Sequence, residues 1–298
     1  MPFCKITIVG TGLIGGSFGL ALKQYGYTGT IMGCDSAAVL QTARQRKAID
    51  HGTTDVATAI DAADLVVLAT PVGKIIELLR RLGPLLPVDT LVTDVGGTKV
   101  AVMASALAGF GSGTRSRFLG GHPMAGKERG GVREADADLF QGATWLLTPL
   151  PNQDIGSGKQ QELVRWISRV GARVVVMDPQ EHDRICAWVS HLPQMIATAL
   201  AATVGEELEP GAFAIGGRAL REMTRIAGSP YSMWGDIAAT NQAEIARALK
   251  QFEANLKRLR ESLGKPELAK QFAAGNRVVG KARRKSKSLP QGTPGLTG

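Results

Sequence analysis

A chain of 298 residues is long enough for two domains with separate cores, and its 44% apolar content excludes a largely disordered protein. The formal charge of +9 suggests a nucleic-acid binder, but six Lys or Arg and no acid fall between Arg277 and the C-terminus, so the basic excess belongs mostly to that end. Cys4, Cys34 and Cys186 are odd in number, widely spaced and in segments that read as buried, which excludes a disulfide framework and shows no metal-ligand spacing.

The first element is the apolar run Lys5-Ile6-Thr7-Ile8-Val9, which reads as a buried strand. It runs into Gly10-Thr11-Gly12-Leu13-Ile14-Gly15, and Gly15 to Leu22 opens a helix. Strand, glycine turn and helix in that order form a dinucleotide-binding fingerprint: Gly10 permits the tight turn, Gly12 lets the backbone approach a pyrophosphate, and Gly15 lets helix and strand pack closely. A second run, Thr30 to Cys34, ends at Asp35, twenty positions after Gly15. An acid there accepts hydrogen bonds from the adenosine ribose and repels the extra phosphate of NADP, so NAD is the expected cofactor. Arg44 and Arg46 lie close enough in sequence to keep NADP open. Ile6 to Leu22 is apolar enough to resemble a signal peptide or membrane span, but repeated glycines interrupt it, and the fingerprint accounts for them. A cytoplasmic location is expected.

Further strands are predicted at Leu65 to Ala69, Thr90 to Thr93, Phe118 to Gly121, Thr144 to Thr148 and Arg173 to Met177, with helices between most of them. This alternation predicts an α/β fold: an N-terminal Rossmann-type, doubly wound parallel sheet extending to about Asp178. Ligands in such sheets bind at the carboxyl ends of the strands, so Thr70-Pro71, Asp94-Val95-Gly96-Gly97-Thr98-Lys99 and His122-Pro123 are the segments to watch. Thr70 and Pro71 join Gly10, Gly12, Leu13, Ile14, Gly15 and Asp35 as expected cofactor-binding positions. His122, between glycines and a proline, either caps a turn or serves as a general base beside the nicotinamide.

Beyond Asp178 the strand pattern stops and an all-helical C-terminal domain is expected: 1–178 dinucleotide-binding, 179–280 helical, and 281–298 a disordered basic tail. Glu181 to Val204 reads as a long apolar helix interrupted by Pro193, with His191 just before the proline; a hydrogen-bonded core histidine is the plain reading of that site. Arg221 and Arg225 stand in an apolar context, and either could grip a substrate carboxylate or pair with Glu222 or Glu206. Ile245, Leu249, Phe252, Leu256, Leu259 and Leu263 step by four and three, forming a stripe that packs within its own domain or against a second copy.

Gly120-Gly121-His122-Pro123-Met124-Ala125-Gly126-Lys127-Glu128, Ser190-His191-Leu192-Pro193, Thr224-Arg225-Ile226-Ala227 and Met233-Trp234 followed by Asp236-Ile237 together resemble the prephenate/arogenate dehydrogenase family over about residues 4 to 270. The resemblance implies oxidative decarboxylation of prephenate to 4-hydroxyphenylpyruvate on the route to tyrosine, with NAD as oxidant and a helical dimerisation domain. It makes His122 the catalytic hydrogen-bond acceptor. It further implies that His191 lines the substrate pocket, Arg225 pairs with a substrate carboxylate, Glu128 shapes the entrance, and Trp234 can reach the partner subunit's site.

Two positions depart from that pattern. Gly97 stands where members commonly carry a serine bonded to the histidine, leaving Thr98 or a water to replace it. Gln194 stands where prephenate-using members often have a second histidine, which keeps arogenate, with formation of tyrosine directly, as the alternative substrate. A non-catalytic NAD-binding sensor is the rival from another class. A sugar-acid or hydroxy-acid dehydrogenase would put a catalytic lysine on a helix of the second domain, and no lysine occurs between Asp178 and Lys250. The expected partners are a small-molecule substrate and a second copy of the chain, with no nucleic acid and no membrane.

Overall fold

The structure is a computed structural model that describes residues 3–209, 211 and 215–288, the last eight by backbone alone. Eight strands make one sheet: β1 Lys5–Val9, β2 Thr30–Cys34, β3 His51–Thr53, β4 Leu65–Leu68, β5 Leu91–Asp94, β6 Phe118–Pro123, β7 Thr144–Thr148 and β8 Arg173–Val176. Their spatial order is β3-β2-β1-β4-β5-β6-β7-β8, parallel throughout except for the antiparallel β6–β7 pair. The strand order reverses between β1 and β4, so the crevice at the switch point opens where the glycine turn and Thr70-Pro71 lie. The residues that fill the strands, Ile6, Ile8, Leu65, Val67, Leu91 and Leu119, are wholly buried because helices cover both faces, which is why these runs read as continuously apolar. β3 was not foreseen: His51-Gly52-Thr53 carries no apolar pattern and exists only because its backbone pairs with Met32 to Cys34.

The glycines of β6 are there for space. A methyl group on Gly120 would lie 2.4 Å from Thr148 Oγ1, and one on Gly121 would lie 2.7 Å from the Asp94 carbonyl oxygen. Close packing of β6 against β5 and β7 therefore fixes the backbone that presents His122.

Among the described residues after β8 the regular elements are helical. Pro179 to Glu207 runs as one continuous helical rod, and Pro193 does not break it. A π turn over Ala187–His191 precedes the proline and takes up the missing N–H and the ring's clash with the preceding turn. His191 sits in that turn. Helices follow at Arg218–Thr224, Tyr231–Thr240, Gln242–Glu261 and Glu267–Ser288. Residues 281–288, expected in the disordered tail, continue the last helix, since Lys and Arg propagate a helix already nucleated by Glu267 to Gly280. The remainder of that tail lies outside the described residues.

The chain divides into two compact units, Met1–Ile245 and Ala246–Gly298. The first holds the sheet together with the helices up to Tyr231–Thr240, because side chains bond across the point where the strands stop. Asp236 accepts from the Gly73 N–H at 2.8 Å, and Asn241 Nδ2 donates to the Asp183 carbonyl at 2.8 Å. In the second unit the apolar stripe is open: Phe252 and Leu259 are half-buried and Leu256 and Leu263 exposed. Cys34 and Cys186 are buried as expected, whereas Cys4 is exposed, because it lies in a bend before β1 begins.

Candidate active site

The glycine turn has the shape a dinucleotide needs. Gly10 takes φ +93°, open to few residues other than glycine, and a methyl group there would meet the Ala69 carbonyl oxygen at 2.5 Å. One on Gly15 would meet the Gly10 carbonyl oxygen at 2.0 Å, so that position holds turn and helix together. Gly12 faces open space, leaving the N-terminus of the helix Leu13–Gln24 approachable. Asp35 lies at the end of β2, its carboxylate accepting from the Thr11 N–H at 2.8 Å and the Ser36 N–H at 2.7 Å. Gly10, Asp35 and Thr70 line one cleft of about 340 Å³, in which the Thr70 hydroxyl is buried without a partner, an orphan polar group that a ligand would satisfy. Pro71 caps the helix Val72–Leu82 at its edge. These residues fit a dinucleotide.

Arg44 donates to the Gly52 carbonyl at 2.8 Å, and Arg46 donates to the carbonyls of Ala135, at 2.6 Å, and Arg133. Both guanidinium groups are engaged with backbone. Asp35 and Asp55 line the same cleft together with Lys74 and Arg81, both of which pair with Glu77.

His122 is the end of a hydrogen-bonded row that the sequence did not disclose. Its Nδ1 lies 2.9 Å from His182 Nε2, and His182 Nδ1 lies 2.8 Å from Asp183 Oδ1. Asp183 is fixed in turn: Oδ1 accepts from the Lys99 N–H at 2.7 Å and Oδ2 from the Val100 N–H at 2.9 Å, at the start of the helix Val100–Phe110. An ionised carboxylate only accepts, so the proton on His182 is at Nδ1 and its Nε2 accepts. His122 must then donate from Nδ1, which leaves the lone pair on its Nε2 unengaged. That nitrogen faces Gly97, where a Cβ would stand 4.0 Å away. The row therefore selects the tautomer in which the outward nitrogen is a base.

Below this row Lys99 and Asp94 form an ion pair with both side chains fully buried, and Asp94 also accepts from Gly96 at 2.8 Å and Gly121 at 3.1 Å. Removing Lys99 alone would strand a buried carboxylate, at a cost of about 3–5 kcal/mol. Lys99 also acts through space. Burial, then the fields of His182, Lys99 and His191, push His122 well below the ordinary imidazole range. Burial and Lys99 lower His182 against the pull of Asp183, and burial brings His191 down to about 4.

Three depressed histidines make stability pH-dependent. Each binds a proton more readily in the unfolded chain, so stability is full above the ordinary value of 6.5 and falls as pH drops toward the folded-state values. The unfolding free energy from urea titration should decline between pH 7 and pH 5, and the midpoint with it, with a slope reaching up to about 1.4 kcal/mol per pH unit for each histidine. A midpoint constant over that range would contradict neutral burial of these rings.

The residues expected to meet the substrate fall into two groups. His191 is buried beside Gly97, its Nδ1 3.3 Å from Asn241 Nδ2 and its ring edge-on to Trp234 at 5.9 Å. Trp234 Nε1 is buried without a hydrogen bond. The Thr98 hydroxyl bonds Thr240 Oγ1 at 2.8 Å, and Thr240 in turn donates to the Asp236 carbonyl at 2.7 Å. The place of the family serine is therefore left to Gly97 itself, where a side chain would come within 3.2 Å of Ile237 Cδ1. In the second group, Arg225 and Glu128 form an ion pair at 2.7 Å, both about half exposed. Gln194 is buried, and its amide donates to the Ile226 carbonyl at 2.9 Å, fixing the turn that carries Arg225.

His182 and Asp183 were overlooked because they lie inside a run read as an apolar core helix. The available signal was a histidine and an acid together at the start of an apolar stretch, where burial without a task is costly.

A glycine turn at the switch point of a parallel sheet, with a buried histidine held below its ordinary pKa on a nearby strand, fits a nicotinamide-dependent dehydrogenase. The sequence matches the family described as prephenate dehydrogenase, nucleotide-binding domain, over residues 18–176, and prephenate dehydrogenase, dimerization domain, over residues 178–274. The chain belongs to the prephenate dehydrogenase family. It is 34% identical over 261 residues to a prephenate dehydrogenase of Bacillus subtilis, an alignment spanning 86% of this chain and 69% of that one. It is 31% identical to a cyclohexadienyl dehydrogenase of Zymomonas mobilis, over 88% of this chain and 89% of that one. The crystal structure of prephenate dehydrogenase from A. aeolicus, in complex with hydroxyphenyl propionate and NAD+, superposes with a TM-score of 0.84 at 33% identity, covering 97% of this chain and 99% of that one.

Proposed function

We propose that this chain catalyses the NAD-dependent oxidative decarboxylation of prephenate to 4-hydroxyphenylpyruvate, with His122 as the catalytic base. The observation that carries the assignment of the base is the row Asp183, His182, His122, which leaves Nε2 of a neutral imidazole unengaged. Held at the glycine turn and Asp35, NAD would supply the acceptor for a hydride from the ring carbon that bears the hydroxyl. His122 Nε2 accepts the hydroxyl proton as the carbonyl develops. The ring carboxylate departs as carbon dioxide, its bonding electrons restore the aromatic ring, and the proton returns to the phenol oxygen. Aromatisation drives the reaction, while the protein contributes orientation and a correctly placed base.

Asp35 at the end of β2, the engagement of Arg44 and Arg46 with backbone carbonyls, and the pairing of the cleft cations Lys74 and Arg81 with Glu77 support NAD over NADP. Arg225 is assigned to the substrate's side-chain carboxylate, exchanging Glu128 for it. Glu128 then has the role of holding the guanidinium until substrate arrives; an exposed pair of this kind is weak enough to be exchanged. Arg225→Ala should raise KM by about tenfold or more with a smaller loss in kcat, and an unchanged KM would return the residue to a structural part. His191 and Trp234 are assigned to the substrate pocket, the unsatisfied indole N–H being available for a polar group of the ligand.

The open apolar stripe of Gln242–Glu261 and the exposed Val189, Met223 and Tyr231 support a homodimer through the helical region. Gln194 is the reason to keep arogenate as a second substrate: with its amide nitrogen bonded to Ile226, it presents no histidine toward a keto group. Initial rates of NADH formation, with prephenate and arogenate each crossed against NAD and NADP, test the assignment. Turnover of prephenate with NAD supports it; arogenate preference moves the specificity to Gln194; no turnover in any combination defeats it.

A further inference from the structure

Three donor atoms converge at the inner side of His122. His122 Nδ1 and His182 Nε2 are 2.9 Å apart, and Cys186 Sγ lies 3.9 Å from the first and 3.6 Å from the second. A tetrahedral zinc ion with ordinary bond lengths holds two nitrogen ligands about 3.3 Å apart and a nitrogen and a sulfur about 3.6 Å apart. The three atoms are thus within a few tenths of an ångström of a ligand triangle. His182 and Cys186 stand one helical turn apart on Pro179–Cys186, and both are fully buried. His182 Nδ1 already donates to Asp183, which is the outer carboxylate that orients a metal-bound imidazole and raises its basicity. A thiolate with two imidazoles selects a thiophilic divalent ion over magnesium or calcium.

We infer that His122, His182 and Cys186 form an inhibitory site for a thiophilic divalent cation, zinc foremost, distinct from any requirement of the reaction. The inhibition rests on the role assigned to His122; the binding does not. A cation on Nδ1 displaces the hydrogen bond to His182 and moves the His122 proton from Nδ1 to Nε2. The Cys186 thiol gives up its proton to solvent, so one proton is released for each ion bound. The outward nitrogen becomes a donor in place of an acceptor, and the base is lost without blocking either the cofactor cleft or the substrate pocket. Inhibition is accordingly non-competitive toward both substrates and reversed by a chelator.

The test combines a spectrum with a rate. Cobalt(II) added to the metal-free protein should develop a sulfur-to-cobalt charge-transfer band in the near ultraviolet and tetrahedral bands in the visible. Zinc should displace both. Cys186→Ala should abolish the charge-transfer band, keep its activity in the absence of metal, and raise the zinc concentration for half-inhibition by about 100-fold. Cys186→Ser serves the same purpose should the smaller side chain weaken the fold. Absence of the band in the wild-type protein, or equal zinc inhibition of wild type and variant, overturns the site. A band in a protein that turns over neither cyclohexadienyl acid keeps the metal site and removes the catalytic reading, so the two fail separately.

Discussion

His122→Asn lowers kcat by about two orders of magnitude or more and leaves NAD affinity within about twofold. Asparagine keeps a polar group near the same place but cannot take a proton, so it removes what the row from Asp183 prepares and little else. The residue sits on β6, paired with Leu146 of β7, and the glycine turn lies across the sheet at β1 and β4. A change confined to its side chain therefore does not disturb the helix N-terminus that faces the cofactor. NADH formation at saturating substrate gives the first quantity, and cofactor fluorescence titration gives the second. Turnover within about fivefold of wild type would remove His122 from the chemistry.

Asp183→Asn is expected to cost about 100-fold in kcat, although Asp183 bonds neither His122 nor the Gly97 side of the site. Both carboxylate oxygens accept N–H donors, from Lys99 and His182 on one and from Val100 on the other. An amide can supply only one accepting oxygen, so its NH2 group faces a donor in either orientation. If it faces His182, the proton of that ring moves from Nδ1 to Nε2 or the ring turns, His182 no longer accepts from His122, and the tautomer of His122 is no longer selected. If it faces Val100, the start of the helix Val100–Phe110 loses an acceptor and Tm falls. The two orientations are separable: the first depresses kcat and alters its pH profile, and the second lowers Tm with a profile of unchanged shape. Asp183→Glu, which keeps the charge at a longer reach, should recover part of kcat in the first case. A variant with wild-type kcat, an unaltered profile and an unchanged Tm fits neither orientation and would show that His122 needs no such support.

The two halves of the molecule were not equally legible. β1, β2 and β7 agree with the expected strands residue for residue, because strands buried on both faces leave an uninterrupted apolar run between turn residues. β3 left no such trace, being short, partly exposed and held by one neighbour. In the helical half, Pro193 was expected to interrupt a helix and instead follows a π turn, an accommodation that depends on how the whole rod is packed. Thr98 was the hydroxyl nearest in sequence to the missing serine, yet Thr240, 142 positions away, claims it.

Sequence alone determined the dinucleotide turn, the acid at the end of β2, the histidine on β6 and the family to which the chain belongs. Each of these is a local matter: a glycine needed within one turn, a side chain at the end of its own strand, an ordered set of short motifs. Tertiary structure alone decided which nitrogen of His122 is hydrogen-bonded and which is left unengaged, what holds Arg225, and that Cys186 lies beside two histidines. Those depend on the meeting of β6 with the helix Pro179–Cys186, about sixty residues further along the chain. Packing of sheet against helix brings such groups together, and no periodicity within either segment records it.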